Sequence, residues 1–207
     1  MNMSLTDYFD NLSQKQHAQL LSLKDLYTDW NSKINVISRK DMENFNIHHL
    51  LHSLSIAKLI NFKDGSEIID IGTGGGFPGI PLAIVFTESK FTLVDSIRKK
   101  TTVVKSVAES LGLKNVEVIC ERAENIDQRF DFIVSRAVTA FPKFVAWTGN
   151  MIKAEQNNNM KNGILYLKGG DLKQDLGSYN TKVRIYKLSN YFNESFFDEK
   201  KIVYLPL

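Results

Sequence analysis

The segment EIIDIGTGGGFPGIPLA, from Glu67 to Ala83, joins a short apolar run to an apolar helical pattern through a glycine-dense loop. Five of the chain's twelve glycines fall between Gly72 and Gly79. Glycine reaches backbone conformations closed to other residues and lets main chain approach a ligand. A strand, such a loop and a helix form the opening unit of a doubly wound α/β sheet. Ligands of such sheets lie at the carboxyl ends of the strands, beside the point where the strand order reverses.

The rest of the chain keeps this rhythm. FTLVD (91–95), VEVIC (116–120), FDFIVS (130–135) and GILYLK (163–168) are strand-like, and RKKTTVVKSVAESLGL (98–113) is a helix closed by Gly112. Pro81 falls in the first turn of the helix starting at Gly79, where it is tolerated. Helical linkers between strands imply parallel crossovers. TKVRIYKL (181–188) and KKIVYLPL (200–207) lack a convincing helix between them and are expected to pair as an antiparallel hairpin at the sheet edge. Residues 4–60 carry apolar residues at helical spacing, and no glycine precedes Gly65, so this stretch is expected to be helical. The division expected is a helical region over 1–60 and one compact α/β unit over 61–207. The positions to watch are Asp70–Gly76, Asp95, Cys120–Glu124 and Ser135–Ala137.

Composition narrows the function classes. Hydrophobic residues make up 43% of the chain, enough for a packed core. The net charge of +3 is too small to mark a nucleic-acid binder without knowing where the charges sit. One cysteine, Cys120, rules out an internal disulfide and a cysteine-based zinc site and fits a reducing compartment. The first residues lack a basic stretch followed by an apolar run, and nothing approaches the ~20 apolar residues of a membrane span. A cytoplasmic protein is expected, without a membrane or an obligate protein partner.

Gly74, Gly76 and Gly79 satisfy the dinucleotide pattern G-x-G-x-x-G, which is weak alone. No Lys-Ser/Thr follows, so a phosphate-binding NTPase loop is excluded. Asp70 sits two residues before Gly72, where its charge is unwelcome near a pyrophosphate but suits a ligand carrying sulfonium and ammonium groups. Asp95 ends the second strand, where an acid accepts hydrogen bonds from ribose hydroxyls in either class of ligand.

The ordered segments DIGTGGGFPGIPLAI, FTLVDSIRKK, ERAE, FDFIVSRAV and LYLKGG, with WNSKINVISRKD upstream, resemble the bacterial small-subunit rRNA methyltransferase G family, also called glucose-inhibited division protein B. The resemblance spans nearly the whole chain, and GTGGGFPGIPL and SRAV are its most specific parts. It implies a class I methyltransferase fold, Rossmann-like, with about seven mostly parallel strands and helices on both faces. It further implies transfer of a methyl from S-adenosylmethionine to N7 of one guanine in 16S rRNA, with that RNA or the small ribosomal subunit as partner. By motif, Gly72, Phe77, Ala123, Glu124 and Arg136 are carried over as cofactor-binding; Asp70, Gly74 and Asp95 join them by strand position. Arg136 and Lys168, each at a strand's carboxyl end, are the candidates for contact with the reacting base. No metal is expected. Where the family often reads Arg-His-x-x-Asp-Ser, this chain has His48, His49, His52 and Ser53, so its arginine and acid are replaced by histidines.

Plainer readings stand beside these. Arg136 could instead pair with Asp131 or Glu124. Arg98, Lys99, Lys100 and Lys105 could grip phosphates or form a solvated helix face. Arg122 and Lys143 could join the first set, with Phe77 or Phe141 available to stack a base. Cys120 reads as a small buried residue. The three histidines read as polar surface or RNA contacts ahead of metal ligands. The rival functions are an NAD-type binder, a methyltransferase of small molecules or protein, and a ligand-sensing module without catalysis.

Overall fold

Residues 5–136 and 138–207 are described by the computed structural model. Ala137, expected at the end of the fourth strand, and Ser4 lie outside them. Seven strands form one sheet: β1 (Glu67–Ile71), β2 (Lys90–Val94), β3 (Val116–Ile119), β4 (Phe132–Arg136), β5 (Gly163–Gly169), β6 (Arg184–Lys187) and β7 (Lys200–Pro206). Their order is β3-β2-β1-β4-β5-β7-β6. The first five pair in parallel, and β7 runs antiparallel to both β5 and β6. The expected terminal hairpin is present at the sheet edge, with β7 between β5 and β6 and β6 outermost. The order reverses between β1 and β4, which makes the carboxyl ends of those strands the switch point.

Burial on both faces explains the unbroken apolar runs of the central strands. In β1, Ile68 joins one hydrophobic cluster while Ile69 and Ile71 join the other. The first cluster packs the sheet beneath α1 (Gln14–Lys33), α2 (His52–Leu59), α3 (Gly79–Val85) and α4 (Arg98–Ser110), through side chains such as Leu20, Leu54, Ile80 and Val103. The second packs the opposite face beneath α5 (Phe141–Thr148) and α6 (Lys173–Leu176), through Phe141, Phe144 and Leu176.

Residues 5–60 form two α-helices and several short helical turns, with a break after α1. Helix α1 starts at a capping box, in which Ser13 and Gln16 exchange side-chain and backbone hydrogen bonds, and ends where Ile34 turns extended. The chain then runs through turns to a π-helical stretch, Asn46–Leu51, that continues into α2. Side-chain bonding to the backbone shapes the break: Asn31 Oδ1 accepts the N–H groups of Val36 (2.9 Å) and Ile37 (3.1 Å). Apolar spacing alone did not reveal that competition.

The β5–β7 pairing is tightest at Gly163, where an added Cβ would come within 2.1 Å of the Leu205 carbonyl oxygen. Gly163→Ala is therefore expected to lower the unfolding free energy by about 3 kcal/mol. Denaturant melts would check this; an unchanged midpoint would contradict the pairing register.

Candidate active site

The glycine loop is held from below. Asp70 Oδ2 accepts the Thr73 hydroxyl (2.7 Å) and the Gly79 N–H (2.8 Å), tying the end of β1 to the start of α3. A Cβ at Gly79 would meet this same Asp70 Oδ2 at 2.8 Å, so glycine is required for the approach. Asp95 holds the loop from the side: one oxygen accepts the Gly74 N–H (3.0 Å) and the other the Ile97 N–H (2.9 Å). From the core, the Tyr27 hydroxyl of α1 donates to the Gly75 carbonyl. Gly72 has a positive φ of 67°, and a Cβ there would collide with Val138 from the loop after β4.

A cavity of about 800 Å³ opens above this loop, at the carboxyl ends of the strands. Gly72, Gly74, Phe77, Asp95, Ala123, Glu124 and Arg136 all line it. Two expected site residues do not. Asp70 is fully buried beneath the loop, so the idea that it faces the ligand's charge gives way to a role in shaping the loop. Lys168 is occupied elsewhere: it pairs with Asp175 at 2.8 Å and donates to the Thr139 carbonyl at 3.3 Å. Beside it, the Tyr166 hydroxyl accepts the N–H groups of Val138 and Thr139, each at 3.0 Å, and donates back to the Thr139 carbonyl. Both side chains brace the loop after β4 instead of reaching the cavity.

Arg136, the last residue of β4, sits on the cavity wall. It pairs with neither Asp131 nor Glu124. Asp131 is engaged by Lys153, and Arg136 donates to the His48 carbonyl and to His49 Nδ1, both at 3.0 Å. Its guanidinium carbon lies 5.3 Å from the Phe77 ring centre. Burial pulls its pKa down to about 10, against the pull of Asp70 and Asp41, so it stays charged at neutral pH. Phe77 is only 2% exposed, wedged among Tyr27, Phe45 and His49, and Phe141 lies in the opposite core. Neither is free to stack a base.

The family comparison coincides with this geometry. A family model described as rRNA small subunit methyltransferase G matches residues 16–203. The chain belongs to the rRNA small subunit methyltransferase G family. Its relatives include the ribosomal RNA small subunit methyltransferase G of Christiangramia forsetii, 53% identical over 98% of this chain and 96% of the relative. The same-named protein of Flavobacterium psychrophilum is 52% identical over 97% and 95%. Two solved structures share the fold at 17% identity. A SAM-dependent methyltransferase from Aquifex aeolicus superposes with a TM-score of 0.55, covering 82% of this chain and 98% of that one. An MtNAS mutant in complex with S-adenosylmethionine gives 0.54, over 94% and 79%. The fold is that of a class I S-adenosylmethionine-dependent methyltransferase.

Within this member of the family, several lining residues lay outside the sequence expectations. Val36 reaches the cavity from the turn that Asn31 fixes, and Trp147 reaches it from α5, with Lys143 Nζ 5.1 Å from the Trp147 ring centre. The aromatic–cation pair Lys143-x-x-x-Trp147, one helical turn apart, was a usable signal for the latter. Of the basic residues expected at the RNA side, Lys100, Arg122, Arg136 and Lys143 line the cavity, while Arg98, Lys99 and Lys105 are exposed on or near α4. Cys120 is half-buried, not buried as expected.

The histidines are not polar surface. His49 and His52 are buried and His48 half-buried. Among the described residues, no group of His, Cys, Asp or Glu is placed to hold a metal, and no helix is long and apolar enough to cross a membrane.

Burial, helped by the Arg136 charge, lowers the His49 pKa from 6.5 to about 4. A depressed folded-state pKa contributes stability that is complete above 6.5 and is lost as pH falls toward 4. Asp70 acts oppositely: burial raises its pKa to about 7, so its contribution is complete below 3.8 and is lost as pH rises through 7. The His49 part is isolated by difference. His49→Gln should shrink the stability loss between pH 7 and pH 5 by about 1–2 kcal/mol, measured by denaturant unfolding at both pH values.

Proposed function

We propose that this chain methylates N7 of a guanine in 16S rRNA, using S-adenosylmethionine. The observation that carries this reading is the joint placement of the glycine loop, Asp95 and charged Arg136 around one cavity at the switch point. Membership of the rRNA small subunit methyltransferase G family supports RNA as the substrate class.

The residues present suit S-adenosylmethionine. The close backbone at Gly72 and Gly74 leaves room for it, and Asp95 lies where ribose hydroxyls would be accepted. Ala123 and Glu124, after β3, would flank the base, and Phe77 backs the loop from within the core. When bound, the cofactor supplies an electrophilic methyl on a sulfonium. Guanine N7 is a neutral acceptor with no proton to lose, so the chain needs no general base there. Its task is alignment and electrostatics. Arg136 is the charged donor on the wall, and its free N–H groups suit guanine O6, next to N7. Lys143, Arg122 and the exposed Arg98 and Lys99 form a basic approach for RNA phosphates. Residues 1–60 read as a helical region that supplies Tyr27 and Val36 to the site of the 61–207 unit. The basic approach and the base contact support 16S rRNA or the small ribosomal subunit as the partner, in a cytoplasmic setting.

Mapping 7-methylguanine in rRNA from cells with and without the gene tests the reading. One site should vanish on deletion and return with the wild-type gene. Calorimetry should show binding of S-adenosylmethionine and its demethylated product; binding of NAD alone would overturn the proposal. Arg136→Lys, which keeps the charge but loses the planar fork, should lower kcat/KM for RNA methylation at least about tenfold. The double variant Arg98→Glu/Lys99→Glu should weaken RNA binding and lower the slope of log K against log salt by about 2.

A further inference from the structure

Arg136 is gripped from a part of the chain far from its strand in sequence. Both of its side-chain hydrogen bonds go to the π-helical turn Asn46–Leu51, one to the His48 carbonyl and one to His49 Nδ1. Arginine has only donors, so His49 Nδ1 must be the acceptor and carry no proton. The other nitrogen, Nε2, then carries the ring proton, and it lies 2.6 Å from Asp41 Oδ2. His48 Nδ1 lies 2.5 Å from the other oxygen of the same carboxylate. The wider π-helical turn lets two consecutive histidines reach one acid. Burial raises the Asp41 pKa, but the bonds from His48 and His49 outweigh it and hold the group ionised. The line of groups is thus carboxylate, neutral imidazole, guanidinium, cavity.

We propose that Asp41 and His49 are positioning residues for Arg136: the Asp41 carboxylate fixes His49 as its Nε2–H tautomer, and the free Nδ1 aims the guanidinium at the reacting base. The proposal rests on the reading of Arg136 as the residue that meets guanine. It gives the segment between α1 and α2 a function in the reaction, although Asp41 and His49 do not line the cavity. It also explains why His49 is buried as a neutral ring: an imidazolium would offer Arg136 a second positive charge and no acceptor.

Two measurements test it on the full chain. Nitrogen-detected NMR of the histidine rings, with the His49 signals assigned by their loss in His49→Gln, should show a bare Nδ1 and a protonated Nε2 at pH 7. The opposite tautomer or an imidazolium overturns the proposal. Kinetics provide the second. His49→Gln can still accept from Arg136 and donate to Asp41, and should keep at least about a third of the methylation rate; His49→Leu should lose at least tenfold. In an Arg136→Lys background, His49→Leu should cost less than threefold further, because its partner is already changed. Full additivity, or equal loss in His49→Gln and His49→Leu, overturns the positioning role. If the wild-type chain methylates no rRNA, the functional reading fails by itself, and the tautomer measurement still decides whether Asp41 and His49 hold Arg136 as stated.

Discussion

The site depends on a buried carboxylate that does not line the cavity. Asp70 ends β1 beneath the glycine loop and accepts hydrogen bonds from Thr73 and Gly79 with a single oxygen. Its other oxygen, Oδ1, has no hydrogen-bond partner among the described residues. An unpaired buried oxygen and a burial-raised pKa of about 7 make this position costly in isolation. The return is geometric. Two bonds to one atom draw the loop's start and the first residue of α3 together, which bends the chain away from β1 and leaves the ends of β1 and β2 open. Arg136 supplies compensating positive charge from the neighbouring strand, and Asp70 in turn favours the charged guanidinium. The cavity wall and the loop's support are therefore electrostatically coupled across the switch point.

Around that centre the loop is held on every side by a different part of the chain. Asp95 of the β2 end accepts from Gly74, Tyr27 of α1 donates to Gly75, and Val138 packs against Gly72. These contacts join residues far apart in sequence, so the loop's shape is a tertiary property. The same holds for the loop after β4, braced by Tyr166 and Lys168 from β5. Two ligand-facing loops with rigid backing are what alignment-based catalysis demands.

Local pattern carried the sheet. EIIDI, FTLVD and GILYLK are strands because short, mainly apolar runs containing β-branched and aromatic residues lie between turn signals, and the structure has them within a residue of the expected bounds. Asp95, Ala123 and Arg136 lie at or just past strand ends, where a doubly wound sheet exposes its ligand face, and all three line the cavity. Asp70 and Lys168 were misjudged by that same rule. A strand-end position fixes where a residue sits, whereas the partner its side chain chooses depends on distant neighbours. Asp70 finds Gly79 nine residues on, and Lys168 finds Asp175. The break after α1 was hidden for a similar reason, since Asn31 bonding to the backbone leaves no trace in apolar spacing.

The histidine replacements show how chemistry can move while placement persists. Histidines at 48 and 52 stand where the family often has an arginine and an acid. Here His48 stacks on Phe196 at 4.0 Å, and His52 meets Phe196 and Phe197 edge-on. Lys200 lies over the outer aromatic, 4.6 Å from the Phe196 ring centre. Aromatic packing therefore occupies the ground of a charged pair on this side of the turn. A buried ion pair gains from attraction but pays heavily in desolvation, and rings of similar bulk avoid that penalty. The acid that bonds these rings is Asp41, which is partly exposed and held ionised by His48 and His49. Among the described residues, His49 is the ring that bonds both Asp41 and Arg136.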